Sequence, residues 1–125
     1  MTKRALIILA HGSRNSRAVD EMLQLSRTIK QNKRLAFDYV ETAFLELAEP
    51  KLSAVVECLL SQGVQACVVM PYFLSSGNHV ERDIPQCMTE LRSRYPDCQF
   101  NLLDYFGSNE RIISWVMKHI EVCTD

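Results

Sequence analysis

Four short runs of strand-forming residues alternate along the chain with four amphipathic stretches, and this alternation limits the possible folds more than any other feature. Residues 5–10 (ALIILA) and 66–70 (ACVVM) are apolar at every position, which is typical of strands buried on both faces. Further strands are predicted over residues 36–45 and 100–103. Because such strands alternate with helices, the sequence predicts an α/β fold with a four-stranded parallel sheet, in the order 2-1-3-4, and helices on both faces.

The amphipathic stretches predict four helices. Asn15 or Ser16 can cap the first helix, because short polar side chains accept hydrogen bonds from the unpaired amides at a helix start. Pro50 and Gly63 mark the expected start and end of the second helix, and Pro85 lies near the start of the third. The last helix is predicted from about residue 109, with an apolar face that is expected to pack inward. That face comprises Ile112, Ile113, Val116, Met117 and Ile120.

The length of 125 residues fits one domain, so residues 1–125 are interpreted as a single α/β domain. The net charge is −1, and the sequence has neither the basic excess of a nucleic-acid-binding protein nor an acidic tail. The apolar run at residues 5–10 is far too short to span a membrane, and it does not end in a secretory cleavage site. We therefore expect a cytoplasmic protein that binds neither nucleic acid nor a membrane.

The five cysteines are odd in number and none has Cys-x-x-Cys spacing, which argues against a disulfide framework, a zinc knuckle and an iron–sulfur cluster. Cys58, Cys67 and Cys87 lie within apolar patterns, and we expect them to be buried thiols that behave as small apolar side chains. No permanently bound cofactor is expected.

Polar side chains follow three of the predicted strands. His11 comes after the first strand, Glu46 after the second, and His79 after the third. Ligands of open α/β sheets bind outside the carboxyl ends of the strands, so these side chains are expected to converge. Two imidazoles and a carboxylate suit a borderline divalent metal and leave coordination positions open. Each residue alone is equally compatible with a loop, capping or solvated role, so the pattern indicates a metal site or an acid–base site.

Arginines near the same strand ends give a second indication. Arg14 and Arg17 follow the first strand, and Arg82 follows His79. Guanidinium groups bind carboxylates through two parallel hydrogen bonds, which would suit an acidic ligand. The alternative for each arginine is an ordinary solvated surface charge.

The three strand-end segments resemble the short CbiX-type sirohydrochlorin chelatases. The matching pieces are LAHGSR (9–14), AFLELAEP (43–50) and PYFLSSGNHVERDIP (71–85), in matching order and spacing, and the third is the most specific. The resemblance covers nearly the whole chain and implies a single chelatase-like lobe. Longer relatives contain two such lobes with a cleft between them, so the resemblance implies that this chain works as a homodimer.

The resemblance also implies the chemistry. His11 and His79 match the paired histidines that bind the metal and assist deprotonation, and Glu46 is the best match for the acidic partner. The implied reaction inserts a divalent metal ion into a sirohydrochlorin-type tetrapyrrole. Co²⁺ is the expected metal substrate, and Fe²⁺ and Ni²⁺ are the alternatives. Cobalamin, sirohaem and nickel-cofactor synthesis all stay open, since a site of two histidines and a carboxylate does not select among these metals by affinity alone.

The tetrapyrrole carries carboxylate arms, so polar residues around the three segments are expected to bind it. These candidates are Ser13, Arg14, Ser75, Gly77 and Arg82. Glu46 or one of the two histidines would accept the pyrrole protons as the metal enters the ring.

Three other functions are considered. A non-catalytic carrier of metal or tetrapyrrole would use the same residues as the chelatase. A histidine phosphatase needs an arginine directly before its first histidine, where this chain has Ala10. A serine hydrolase needs a G-x-S-x-G turn, which the sequence lacks.

Overall fold

Four parallel strands form the sheet of the computed structural model, which describes residues 2–124. The strands are β1 (Lys3–Ala10), β2 (Tyr39–Phe44), β3 (Val64–Pro71) and β4 (Gln99–Leu102). Their order is β2-β1-β3-β4, so β1 lies inside the sheet and pairs with both β2 and β3. The predicted α/β class and the predicted strand order are confirmed.

Three α-helices connect the strands, a fourth follows the last strand, and there are two short helical turns within residues 2–124. The helices are α1 (Ser16–Lys30), α2 (Leu52–Ser61), α3 (Ile84–Arg94) and α4 (Ile112–Thr124). A π-helical turn over His79–Asp83 precedes α3, and a 3₁₀ turn over Phe106–Ser108 precedes α4. None of the helices within residues 2–124 is long and apolar enough to cross a membrane.

The helix ends largely follow the sequence signals. The side chain of Asn15 accepts a hydrogen bond of 2.9 Å from the amide of Arg17, so Asn15 is the cap of α1. Gly63 follows α2 with a positive φ of 93°, a conformation that glycine adopts without strain. The prediction that α2 starts at Pro50 is wrong by two residues, because the carbonyl of Pro50 accepts a hydrogen bond from Phe44 and extends the pairing of β2.

Most of the core lies between the sheet and the α2–α3 side. It contains buried residues of β1 and β3 together with α2 and α3, among them Ile7, Leu9, Val56, Val69 and Met88. On the opposite face, α1 packs Met22, Leu25 and Ile29 against Leu6, Ile8 and Val40. Burial of each large apolar side chain contributes about 1.5–3 kcal/mol, so these two layers hold the strand ends in fixed positions.

The expectation that α4 packs inward is wrong. No residue within Ile112–Thr124 is buried, and Ile113, Val116, Met117 and Ile120 are each more than half exposed. An amphipathic pattern shows which residues of a helix need cover, but it does not show which surface supplies that cover. In this chain α4 does not pack on the sheet, and its apolar side chains remain exposed.

All five thiols are free, but they are not buried alike. Cys67 on β3 is buried as expected, and burial raises the pKa of its thiol to about 12. Cys87 on α3 is half-buried, and burial also raises its pKa. The expectation of burial is wrong for Cys58, which lies on the solvent side of α2.

Candidate functional site

Side chains from three loops meet at the carboxyl edge of the sheet. His11 follows β1, Glu46 follows β2, and His79 begins the π-helical turn that follows β3. One potential ligand atom of each residue lies within 4.8 Å of the other two. Nε2 of His11 is 3.4 Å from Oε2 of Glu46, and the centroids of the two imidazole rings are 4.6 Å apart. The three residues expected to converge do lie together, and we call them the His–Glu–His cluster.

The spacing within the cluster suits a metal ion. Two ligand atoms that each bind one ion at about 2.1 Å in tetrahedral geometry lie about 3.4 Å apart. That is the separation of Nε2 of His11 and Oε2 of Glu46. The side chains of both histidines are 38% exposed and that of Glu46 is 57% exposed, so the cluster opens to solvent. Such a site can bind a divalent ion through three protein ligands and release it through its open side.

Backbone hydrogen bonds bring the loop after β2 against the loop after β1. The amide of Glu46 donates to the carbonyl of His11 at 2.8 Å, which extends the β1–β2 pairing beyond the strands. Between them Gly12 has a positive φ of 110°, and a Cβ at this position would collide with the carbonyl oxygen of Glu46. Gly12 therefore permits the close approach that puts His11 beside Glu46.

The residue after Glu46 has a sparsely populated backbone conformation. Leu47 has a φ of 64°, and the amide of Ala48 donates to the carbonyl of Glu46 at 2.8 Å. A three-residue turn with positive φ at a non-glycine residue is strained, and such strain collects at functional sites. The turn fixes the backbone from which the Glu46 carboxylate extends towards His11.

A fourth side chain orients His79. Nδ1 of His79 lies 2.9 Å from Oδ2 of Asp83, and Nε of Arg82 donates to Oδ1 of Asp83 at 3.4 Å. A carboxylate only accepts hydrogen bonds, so Nδ1 carries the hydrogen and Nε2 keeps its lone pair for a metal. Sequence reasoning missed this role of Asp83. The spacing of four residues between His79 and Asp83 was the available signal.

The π-helical turn explains why this pair forms. The amide of Ile84 donates to the carbonyl of His79, five residues earlier, and this wider turn carries the pair between the loop and α3. The centroid of the Phe73 ring lies 6.4 Å from that of the His79 ring, with the two rings tilted by 37°. His79 is therefore positioned by an aromatic contact and a carboxylate, both outside the His–Glu–His cluster.

The polar candidates after β1 differ in their surroundings. Ser13 is half-buried, and its hydroxyl accepts a hydrogen bond of 3.0 Å from the amide of Asn15, so it shapes the turn into α1. Arg14 is exposed in the loop after β1, three residues after His11. Nε of Arg17 lies 3.6 Å from the carboxylate of Glu21 at the surface of α1, which fits the solvated alternative for this arginine.

The candidates after β3 line the loop that leads to His79. Ser75 and Gly77 are exposed, and a Cβ at Gly77 would meet no atom within 4 Å. The carbonyl of Gly77 accepts a hydrogen bond of 2.8 Å from Glu81, which anchors the π-helical turn. Arg82 is largely exposed and contacts Asp83 through Nε. A ligand over this loop can therefore reach these groups without displacing the core.

Comparison with known proteins gives the family. The CbiX family model matches residues 5–122. The chain is 29% identical over 116 residues to a sirohydrochlorin ferrochelatase from Priestia megaterium, covering 93% of this chain and 43% of the relative. It is 26% identical over 116 residues to a sirohydrochlorin cobaltochelatase from Sulfurisphaera tokodaii, covering 93% of this chain and 90% of that relative.

A solved structure supports the same assignment. The sirohydrochlorin chelatase SirB of Bacillus subtilis subspecies spizizenii, in complex with cobalt, matches with a TM-score of 0.84 and 28% identity. The match covers 96% of this chain and 50% of SirB. The chain spans about half the length of several of the curated relatives it matches. By its family model, its relatives and its fold, this chain belongs to the CbiX family.

Proposed function

We propose that this chain inserts a divalent metal ion into a sirohydrochlorin-type tetrapyrrole. The observation that carries the proposal is the His–Glu–His cluster at the carboxyl edge of the sheet, with ligand atoms within 4.8 Å of one another. The family supports it, because both a relative of about the same length as this chain and a relative about twice as long are named sirohydrochlorin chelatases.

The metal is the substrate, and the cluster delivers it. His11 and His79 hold the incoming ion through imidazole nitrogens, and Glu46 contributes negative charge beside His11. The ring loses two pyrrole protons as the metal enters, so the site also needs a base. Glu46, His11 and His79 are the candidates, because each lies at the cluster and each can accept a proton.

The surface around the cluster suits a flat acidic ring. Leu47, Tyr72 and Leu74 lie on the loops that carry Glu46 and His79, and all three expose apolar side chains. We propose that this apolar surface contacts one face of the macrocycle. The carboxylate arms then reach the polar groups at its edge, for which we propose Ser13, Arg14, Ser75, Gly77 and Arg82.

Co²⁺ is the proposed metal, with Fe²⁺ and Ni²⁺ as alternatives. Relatives named for cobalt and relatives named for iron both match this chain, so the comparisons support either metal. Imidazole and carboxylate ligands accept all three ions. A carrier that binds metal or pigment without turnover is the less favoured alternative, because the curated relatives are named as chelatases.

We further propose a homodimer that acts in the cytoplasm. One lobe leaves the His–Glu–His cluster open to solvent, whereas insertion needs a site that holds the ring on the metal. A second copy facing the same edge would supply the missing wall, and it corresponds in length to the additional part of the longer relatives.

Substitution of the cluster tests the proposal. His11→Ala, His79→Ala and Glu46→Gln are each expected to lower Co²⁺ insertion into sirohydrochlorin by at least about 100-fold, because each removes a group that contacts the metal or the protons. Glu57→Gln is the matched control, since Glu57 is an exposed carboxylate on α2. Insertion is followed anaerobically by the visible spectrum. Full activity in His79→Ala would overturn the assignment of the metal ligands.

A further inference from the structure

The five thiols of the chain fall into two groups by their burial. Burial raises the pKa of Cys67, Cys87 and Cys98, so the thiolate, which is the form that binds metal ions, is disfavoured at all three. Cys58 and Cys123 are exposed. These two sulfur atoms can therefore reach a metal ion in solution without any rearrangement of the core.

Cys123 differs from Cys58 because an imidazole lies beside it. Sγ of Cys123 is 3.9 Å from Nε2 of His119, four residues earlier on α4, and both side chains are exposed. Sγ of Cys58 instead lies 3.2 Å from Nε2 of Gln62, an amide nitrogen that has no lone pair to offer a metal. Among the exposed thiols, Cys123 is therefore the one with a second metal ligand next to it.

The pair lies on a side of α4 that is otherwise apolar. Ile112, Val116, His119 and Cys123 follow one another at intervals of four, three and four residues, so they share one side of the helix. Within residues 2–124, the hydrogen-bond partner of each of the two polar side chains is the other. Apolar neighbours limit competition from water and strengthen the attraction between a cation and a thiolate.

The separation of the two atoms suits a single metal ion. An ion that binds sulfur at about 2.3 Å and imidazole nitrogen at about 2.1 Å in tetrahedral geometry holds the two atoms about 3.6 Å apart. The observed distance between Sγ and Nε2 is 3.9 Å, and rotation of either exposed side chain can shorten it. The spacing of four residues on a helix therefore presents an imidazole and a sulfur to the same ion.

We propose that His119 and Cys123 form a second metal site, which binds a borderline divalent ion of the Zn²⁺ and Co²⁺ class through Nε2 and Sγ. Bonds form from the ion to sulfur and to nitrogen, and the thiol proton leaves to solvent. Water completes the coordination, so the ion exchanges readily. The proposal does not depend on the metal-insertion reaction proposed above.

The ligands of this site differ in kind from those of the His–Glu–His cluster. The cluster offers imidazole and carboxylate groups, whereas the α4 site offers imidazole and sulfur. Thiolate is a softer ligand than carboxylate and selects against Mg²⁺ and Ca²⁺. Because one site contains sulfur and the other does not, the two can be observed separately in the same protein.

Titration of the reduced, oxygen-free protein with Co²⁺ tests the site. A thiolate bound to Co²⁺ gives a charge-transfer band in the near ultraviolet, which imidazole and carboxylate ligands do not give. The wild type should develop this band, and Cys123→Ser should lose it. His119→Gln should need at least about 100-fold more Co²⁺ to develop it, because one ligand then holds the ion in place of two. Zn²⁺ should displace Co²⁺ and abolish the band.

Cys58→Ser is the matched control, since Cys58 is an exposed thiol without a neighbouring histidine. This variant should bind Co²⁺ with the band and the affinity of the wild type. A wild type without the band, a band that persists in Cys123→Ser, or a band that disappears in Cys58→Ser would overturn the proposal. Thermal unfolding without metal should be the same in all these proteins, since each substitution is at an exposed position.

Metal insertion into sirohydrochlorin is measured separately on the same variants. His11→Ala/His79→Ala removes two ligands of the cluster and should keep the charge-transfer band, while Cys123→Ser should keep the insertion rate. A protein that shows the band but inserts no metal would refute the proposed reaction and leave the α4 site standing. Insertion by a wild type that never shows the band would refute the α4 site and leave the reaction standing.

Discussion

At the residue scale, the site depends on how its histidines are held as much as on their presence. The 2.9 Å contact between Nδ1 of His79 and the Asp83 carboxylate leaves the other ring nitrogen, Nε2, available to a metal. Carboxylates that hold a ligating histidine in this way usually contribute about 10–100-fold to metal affinity. Asp83 is therefore a positioning residue in the proposed site, acting through His79.

Replacing Asp83 by Asn tests this role. Asp83→Asn keeps the size of the side chain but loses the negative charge, so Co²⁺ affinity is expected to fall about 10-fold or more. A titration followed by the visible bands of bound Co²⁺ measures both affinity and coordination geometry. Asp97→Asn is the control, since Asp97 is an exposed carboxylate in the loop before β4. Unchanged affinity and an unchanged spectrum in Asp83→Asn would leave Asp83 without a role at the metal.

The three residues of the His–Glu–His cluster could be predicted from the sequence, but the residues that position them could not. His11, Glu46 and His79 were predictable because each follows a strand, and parallel strands end at one edge. The role of Asp83 depends on a π-helical turn, which has no distinct sequence pattern. The need for Gly12 depends on how closely the loop after β2 approaches, and this is a tertiary contact.

At the scale of elements, the loops after β1 and β2 act as one unit. Gly12 lies where a side chain would strike the carbonyl of Glu46, and its φ of 110° disfavours any other residue. Gly12→Ala is expected to destabilise the fold by about 1–3 kcal/mol and to weaken Co²⁺ binding, because the Glu46 loop must move away from His11. Urea unfolding and Co²⁺ titration measure the two effects.

Gly77→Ala is the matched control for stability. Gly77 lies in the loop after β3, where a Cβ meets no atom within 4 Å. Its free energy of unfolding should stay within about 0.5 kcal/mol of the wild type. Equal stability and equal Co²⁺ affinity in Gly12→Ala and the wild type would show that the two loops do not need this close contact.

The strands and helix ends were predicted well where local sequence alone determines them. Continuous apolar runs located β1 and β3, and Asn15 and Gly63 marked helix ends correctly. The placement of α4 was wrong, because its apolar pattern is satisfied equally by its own sheet, by another copy or by a longer chain. Amphipathicity specifies the face that needs cover but leaves its partner open.

At the scale of the whole molecule, one lobe provides the proposed metal ligands but leaves two surfaces uncovered. The His–Glu–His cluster is open to solvent, and the apolar surface of α4 is uncovered. The family assignment follows from nearly the whole chain, since the CbiX model matches residues 5–122. The reaction and the dimer are proposals that the open cluster and the uncovered helix support.

The most direct measurement is the rate at which Co²⁺ enters sirohydrochlorin in the absence of oxygen, with and without the protein, followed by the visible spectrum. We expect the wild-type chain to accelerate metallation and to metallate more than one ring per chain. The insertion rates of Fe²⁺ and Ni²⁺, measured under the same conditions, then show which of the three ions is inserted fastest. Tight binding of the pigment with metallation no faster than in buffer, for all three ions, would contradict the chelatase and leave a carrier in its place.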